Sequence, residues 1–311
     1  MATVLVTGGA GFIGSHVVDR LLARGDSVVV LDDFSTGRRE NLPIGNPKLK
    51  VLEGSVHDVL RWQAELQHVT CVFHLAALIS GFESQQTPDP YLHTNVTGLL
   101  RLFDLLRRLE KPRLVFASTS NVYGNSPERI RREGQLPSPA TVYGLTKLIA
   151  EHLFDIYRQS VGFDDVSFRL FNVYGPRQNR DHPYANVACK FSWAAATGNS
   201  VVLYGDGEQT RDFVYVDDVV RALVGAMDRR TPRRIYNVGT GQDCSINQLL
   251  ELAQSIAGTR LNVERRGEWP NDLRAIAADV SRFKEDFGFV PETPVREGLA
   301  RTIEFFRRND G

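Results

Sequence analysis

Cysteine is scarce in this sequence: Cys71, Cys189 and Cys244 are the three among 311 residues. They stand far apart and match no metal-ligand spacing, so neither a metal site nor a disulfide framework is expected. Three structural thiols in a reducing compartment are expected instead. An excess of charge of either sign is also lacking. Thirty-seven Lys and Arg offset 37 Asp and Glu, so no global field points to nucleic acid or membrane, although a local basic site stays open. Long apolar runs are missing too. The N-terminal TVLVTGGAGFIG is apolar, but no basic segment precedes it, glycines interrupt it, and it is too short to span a bilayer. Neither a signal peptide nor a membrane span is expected, and the cytoplasm is the expected compartment. No internal repeat or low-complexity tract is present. What remains, 42% hydrophobic and 24% charged, suits a globular chain with one large or two modest domains.

Short apolar runs alternate with helical patterns through the first two thirds. Residues 3–7, 27–32, 50–54, 71–76, 113–118 and 166–171 are continuous rather than alternating, as strands buried on both faces are. Helical periods lie between them, one ending at Gly25 as a helix C-terminus should. This rhythm predicts a doubly wound parallel sheet with right-handed crossovers. After Asn172 it breaks. Residues 187–197 read as a helix, 201–213 as strand–loop–strand, and 217–227 as a helix capped by an aspartate. Residues 1–172 and 212–240 are expected to form the main domain, and 173–211 and 241–311 a smaller α/β lid.

The first strand runs directly into Gly8-Gly9-Ala10-Gly11-Phe12-Ile13-Gly14 and then an amphipathic helix. Gly8, Gly11 and Gly14 in that setting are the pattern of a dinucleotide pyrophosphate site at a helix N-terminus. Asp32 ends the second strand, eighteen positions beyond Gly14, where a carboxylate accepts from ribose hydroxyls and repels a 2′-phosphate. NAD is therefore favoured over NADP, although the nearby Arg38 and Arg39 leave NADP open.

Tyr143 and Lys147 are four residues apart, on one face of a helix. A free phenol, with a pKa near ~10, is a weak base at neutral pH, and an ammonium beside it favours the phenolate. That lysine can also hold the nicotinamide ribose. Thr119, ending the fifth strand, adds a hydroxyl that orients substrate. His74, Trp193 and Trp269 read as packing residues.

TGGAGFIG, FHLAA, STSNVYG, YGLTK, RLFNVYGPRQ and GDGEQTRDFVYVDDV, in this order, resemble the extended short-chain dehydrogenase/reductase family. Within it the chain is similar to the NAD-dependent sugar-nucleotide epimerases and dehydratases, the UDP-glucose/UDP-galactose 4-epimerase branch above all. The resemblance implies a Rossmann domain and a sugar-nucleotide-binding lid. It implies Tyr143 as base and acid at a sugar hydroxyl, tuned by Lys147, with Thr119 sharing the proton's hydrogen bond. Phe12 and Ile13 would offer amides to the pyrophosphate. Asp33, Phe34, Ser35, Thr36 and Gly37 would border the adenosine, with Ser55, Val56 and Asn95 also at the cofactor and Leu75, Ala76 and Ala77 lining its cleft. An aspartate often stands where this chain has Ser55. Asn172, Asn186, Arg211 and Arg265 would hold the substrate, with Arg266 or Arg274 as replacements for Arg265. Residues 80–84 would shape sugar specificity. A homodimer built on residues 89–107 and 143–157 is implied as well.

Dehydratases of the family carry Asp-Glu directly after the strand-end threonine, and sugar-acid decarboxylases a glutamate at the second position. Here those positions are Ser120 and Asn121. Their lack of a carboxyl group favours 4-epimerisation of a UDP-sugar through a transient 4-keto sugar. Two alternatives stay open: a reductase or dehydrogenase that exchanges cofactor, and a non-catalytic dinucleotide sensor on the same fold.

Overall fold

The structure is a computed structural model and describes residues 1–181, 185–268 and 273–310; Trp269 lies outside the described residues. Two compact units are present. The first comprises Met1–Ser126, Gln135–Leu170 and Val220–Tyr236, and the second Pro127–Gly134, Phe171–Val219 and the chain from Asn237 onward. Four segments expected in the main domain thus belong to the second unit: residues 127–134, 171–172, 212–219 and 237–240. Residues 127–134 do so because Ile130–Arg131 pairs with Ala277–Ala278. Residues 212–219 do so because Phe213–Tyr215 pairs with Asn172–Tyr174.

A seven-stranded sheet organises the first unit. Its strands are β1 (Thr3–Thr7), β2 (Ser27–Asp32), β3 (Leu49–Glu53), β4 (Cys71–His74), β5 (Arg113–Thr119), β6 (Asp165–Leu170) and β7 (Ile235–Val238). Their order is β7-β6-β5-β4-β1-β2-β3, and the pairings from β6 to β3 are parallel. This is the doubly wound Rossmann arrangement, and the order reverses between β1 and β4, where such sheets bind ligands. Leu5, Val29, Leu31, Val72, Leu114 and Phe116 pack with Leu99, Phe103 and Phe154 of the covering helices. Val4, Val6, Val28 and Val30, on the alternate face, are buried as well, so both faces are dry as the continuous apolar runs require. The fourth strand stops at His74, earlier than expected. The amides of Leu75 and Ala76 turn instead to the Thr7 carbonyl (3.1 Å) and hydroxyl (3.3 Å).

Helix Phe12–Ala23 follows β1. The helix expected over 89–107 is built from Pro88–Leu92, a π-helical turn His93–Thr97, and Gly98–Leu106. Such a widened turn marks functional sites more often than chance. Helix Val142–Val161 starts where the Thr141 hydroxyl accepts from Gly144 N (3.1 Å).

In the second unit, Cys244–Ser245, Thr210–Arg211, Ala275–Ala278 and Ile130–Arg131 form a four-stranded sheet. Buried Asp212 is its fastener, because its carboxylate accepts from Thr240 N, Thr240 Oγ1, Gly241 N and Ala278 N. Helix Val187–Thr197 has its expected limits. The helix expected from Asp217 begins at Val216, so Asp217 and Asp218 lie inside its first turn rather than capping it. There they still oppose the helix dipole favourably.

Candidate active site

The cradle for a dinucleotide is shaped by what cannot fit there. A Cβ on Gly14 would lie 2.0 Å from the Gly8 carbonyl oxygen, and one on Gly8 (φ +70°) would lie 2.7 Å from Ala76 N. Gly11 precedes helix Phe12–Ala23 without a side-chain cap, which leaves the first-turn amides of Phe12, Ile13 and Gly14 for an anion. Buried Asp32 accepts from Ala10 N (2.8 Å) and Phe34 N (2.9 Å), one to each carboxylate oxygen. Burial raises its pKa, the two amides oppose this, and each oxygen keeps an acceptor lobe. Gly37 stands against Ala10 and Asp32, where a Cβ would approach Asp32 Oδ1 to 2.9 Å. Asp33, Ser35 and Thr36 form the exposed part of this turn, with Asp33 Oδ1 accepting from Ser35 N and Oγ. Phe34 carries the Arg39 guanidinium over its ring (4.3 Å), and Arg39 is ion-paired with Glu53. One of the two arginines that argued for a 2′-phosphate is thus already engaged. The residues present fit a dinucleotide of the NAD type.

Three residues expected at the cofactor also have partners within the protein. Ser55 Oγ accepts from His57 N (3.3 Å) and caps the short helix Val56–Trp62. The Val56 side chain belongs to the hydrophobic core. Asn95, within the π-helical turn, gives its amide protons to the Leu78 carbonyl (2.9 Å) and Thr146 Oγ1 (3.0 Å) and accepts from Leu78 N (2.9 Å). It therefore holds the loop carrying half-buried Leu75, Ala76 and Ala77 rather than offering a donor of its own.

Thr119 ends β5, and Tyr143 and Lys147 lie one turn apart on helix Val142–Val161. Tyr143 and Lys147 are 7% and 4% exposed. Burial pushes the Tyr143 phenol up to about 12, opposed by a hydrogen bond from Thr119. Burial pushes the Lys147 ammonium down to about 7, opposed by Glu151. Lys147 Nζ donates to the Ala117 carbonyl (2.9 Å) and lies 4.7 Å from the Phe116 ring centroid. The spacing predicts an ammonium that lowers the phenol. In the structure the phenol is raised, because desolvation dominates and the Thr119 hydroxyl is what opposes it. His74 shares a hydrogen with Thr7 Oγ1 (2.8 Å), and burial pushes it down to about 3, so it is a neutral packing residue.

Residues 80–84 reach the same helix. The Ser84 hydroxyl accepts from Tyr143 N (3.0 Å) and donates to Gly81 O (2.7 Å), so it seats the tyrosine. Ser80 Oγ accepts from Glu83 N (3.1 Å). Asn121 N and Nδ2 both donate to Thr119 Oγ1 (3.3 and 3.2 Å), a contact that sequence reasoning did not find. Glu151 and Arg169 also escaped it. Their signals were present: Glu151 is four residues past Lys147 on the same helix face, and Arg169 is a charge inside an apolar strand.

In the second unit, Asn172 N donates to Asp212 O (3.0 Å) and Asn172 pairs with Phe213, two residues past Arg211. Asn186 caps helix Val187–Thr197 through Ala188 N (2.9 Å) and donates to Val173 O (3.2 Å). These two asparagines and the Arg211 segment are therefore neighbours. Arg211 Nη1 donates to the carbonyls of Thr210 (2.7 Å) and Leu273 (2.6 Å). Arg265 lies on a different ladder, Val263–Arg266 against Val201–Tyr204. It is exposed, and its contacts to Asp206 O and Asn247 Oδ1 are long (3.4 and 3.5 Å). Arg266 pairs with Glu264, and Arg274 with Asp206, each at 2.8 Å.

The family described as NAD dependent epimerase/dehydratase matches residues 4–239. A protein of Mycolicibacterium smegmatis named UDP-glucose 4-epimerase is 38% identical over 308 residues, spanning 97% of this chain and 98% of its own. UDP-glucuronic acid decarboxylase 1 of Arabidopsis thaliana is 34% identical, spanning 98% of this chain and 69% of its own. The crystal structure of Thermus thermophilus UDP-glucose 4-epimerase in complex with NAD aligns with a TM-score of 0.89 at 37% identity, covering 98% of this chain and 99% of that one.

Proposed function

Since the chain belongs to the NAD-dependent epimerase/dehydratase family of extended short-chain dehydrogenases/reductases, whose cofactor is NAD, we propose that it is a 4-epimerase of UDP-sugars of the UDP-glucose/UDP-galactose kind. The observation that carries this reading is the end of β5. Ser120 and Asn121, the positions where elimination or decarboxylation chemistry would call for a carboxyl group, have none. The Asn121 amide is spent on Thr119. An epimerase needs one proton-transferring group at C4 and no second acid or base.

NAD supplies a reversible hydride acceptor when bound. The Phe12 and Ile13 amides would hold its pyrophosphate, Asp32 its adenosine ribose and Lys147 its nicotinamide ribose. Tyr143 takes the proton of the C4 hydroxyl and returns it after the 4-keto sugar presents its other face. Thr119 Oγ1 accepts two N–H groups from Asn121, so its own hydrogen is left to donate to the Tyr143 oxygen. That donation favours the phenolate which burial disfavours. Asn172, Asn186 and Arg211 would contact the sugar nucleotide, a guanidinium fork suiting two phosphate oxygens. Arg265 is the additional phosphate ligand in this reading, since its two rivals are ion-paired with neighbours.

The decarboxylase relative supports a second substrate class, UDP-glucuronate, and Asn121 weighs against its decarboxylation. A homodimer is also part of the proposal: Leu92, Leu145 and Ile156 on the two implicated helices are 39%, 42% and 57% exposed. The free cysteines favour a cytoplasmic setting. Among the described residues no helix is long and apolar enough to cross a membrane.

The test is incubation of purified protein with UDP-galactose without added cofactor, followed by NMR or chromatography. UDP-glucose should form and should disappear with Tyr143→Phe. Turnover that starts only with added NAD and releases NADH would replace epimerisation with dehydrogenation. Turnover of UDP-glucuronate alone would move the substrate class. Binding of NAD with turnover of no sugar nucleotide would leave the sensor.

A further inference from the structure

Beneath the Tyr143/Lys147 pair lies a second pair of charges that the chemistry above leaves unused. Glu151 and Arg169 are 4% and 3% exposed. Glu151 Oε1 accepts from Ser118 Oγ (2.5 Å) and Arg169 Nε (3.0 Å), and Oε2 accepts from Arg169 Nη2 (2.6 Å). The guanidinium also lies 4.8 Å from the Tyr123 ring centroid. One carboxylate thereby ties helix Val142–Val161 to β5, next to Thr119, and to β6. A buried ion pair is seldom more stabilising than apolar residues of the same volume, so stability alone does not account for it.

We infer that Glu151, fixed by Arg169 and Ser118, is a positioning residue that supplies the counter-charge for Lys147 and seats it for the cofactor. This rests on the reading of Lys147 as the residue that holds the nicotinamide ribose. Glu151 is one helical turn from Lys147, and on a helix such residues are neighbours. The remaining surroundings of Lys147 offer no other anion among the described residues. Tyr143 on the same helix is a neutral phenol, His74 on β4 is neutral, and β5 presents the Ala117 carbonyl and the Phe116 ring. Arg169 on β6 is cationic and would oppose a second cation were Glu151 absent. Burial drives Lys147 toward its neutral form at about 7, and Glu151 is the group that resists this.

The experiment uses Glu151→Gln, which keeps the volume and an acceptor for Ser118, and the double variant Glu151→Gln/Arg169→Met, which removes the unpaired guanidinium. NAD affinity is followed by equilibrium dialysis between pH 6 and 10, beside wild type and Lys147→Met, with thermal melting at each pH. In wild type, affinity should fall on the alkaline side and Lys147→Met should abolish that fall. In Glu151→Gln the fall should move to lower pH by about one unit or more. The double variant should regain the wild-type melting temperature yet keep the displaced fall. Folded variants with the wild-type pH profile would overturn the inference, and so would a double variant that restores melting and profile together. An alkaline fall that persists in Lys147→Met would overturn it as well. Wild-type protein that binds NAD with this profile but converts no UDP-sugar would defeat the 4-epimerase reading and leave this inference standing.

Discussion

Replacing Lys147 with methionine should stabilise the cofactor-free protein at neutral pH while removing its activity. The lysine is 4% exposed, and its pKa falls from an ordinary value of 10.5 to about 7 in the fold. An unfolded chain therefore binds this proton more tightly than the folded one. The resulting penalty is fully present below pH 7, shrinks as pH rises, and vanishes above 10.5. At about 1.4 kcal/mol per unit, the lowered pKa corresponds to roughly 4–5 kcal/mol at the acid end. Methionine forgoes the hydrogen bond to the Ala117 carbonyl, worth about 1 kcal/mol, and keeps most of the apolar contact. A net gain of about 3 kcal/mol is expected at pH 7.

Urea unfolding of NAD-free wild type and Lys147→Met across pH 6.5 to 10.5 measures it. Titrating groups that do not interact with Lys147 are common to both proteins and cancel in the difference. The gap should be widest at the acid end and close toward pH 10. A variant no more stable than wild type at pH 7, or a gap that does not change with pH, would refute the claim that the fold strains this ammonium.

Gly14→Ala places a methyl group where 2.0 Å separates it from the Gly8 carbonyl oxygen, so the helix start must move, and NAD affinity should fall about 100-fold or more in a binding titration. Asp32→Ala removes the acceptor for Ala10 N and Phe34 N and the repulsion of a 2′-phosphate; the preference for NAD over NADP should narrow by at least about tenfold in paired dialysis measurements. Asp212→Ala leaves three backbone amides without their buried acceptor, while the Thr240 hydroxyl keeps Gln242 O, and should lower stability by about 3–5 kcal/mol in urea unfolding.

Six strands of the large sheet were legible because each is a run of Val, Leu, Ile or Phe bounded by Gly, Asp or a polar loop, a pattern that needs no knowledge of partners. The small sheet was legible only at Thr210–Arg211, inside the strand–loop–strand read over 201–213. Cys244–Ser245 and Ile130–Arg131 are two residues each, too short for any period, and they pair across gaps in sequence that only the tertiary fold closes. The π-helical turn around Asn95 was hidden for a similar reason. Its sequence is unexceptional, and the extra residue is stabilised by the bonds Asn95 makes to Leu78 and Thr146. Spacing placed Tyr143 and Lys147 on one face, but it carries no information about dryness, and dryness sets the direction of both pKa values.

Ser84, Asn95 and Ser55, each expected at or beside a ligand, also have partners within the protein. Each has the right chemistry for a contact, and each spends that chemistry on an amide or carbonyl of the protein: Tyr143 N, the Leu78 backbone, His57 N. For Asn95 and Ser84, whose donors are taken, donating to a ligand means giving up those bonds, at about 1 kcal/mol or more apiece. Keeping them holds rigid the loops and the helix start that do face the cleft. The same logic extends from Asn121, which turns the Thr119 hydrogen toward Tyr143, to Glu151, which compensates Lys147. Asn121 thus acts on the phenol through Thr119 and Glu151 acts on the ammonium of Lys147, and substitutions at these two positions should alter the pH dependence before they alter binding.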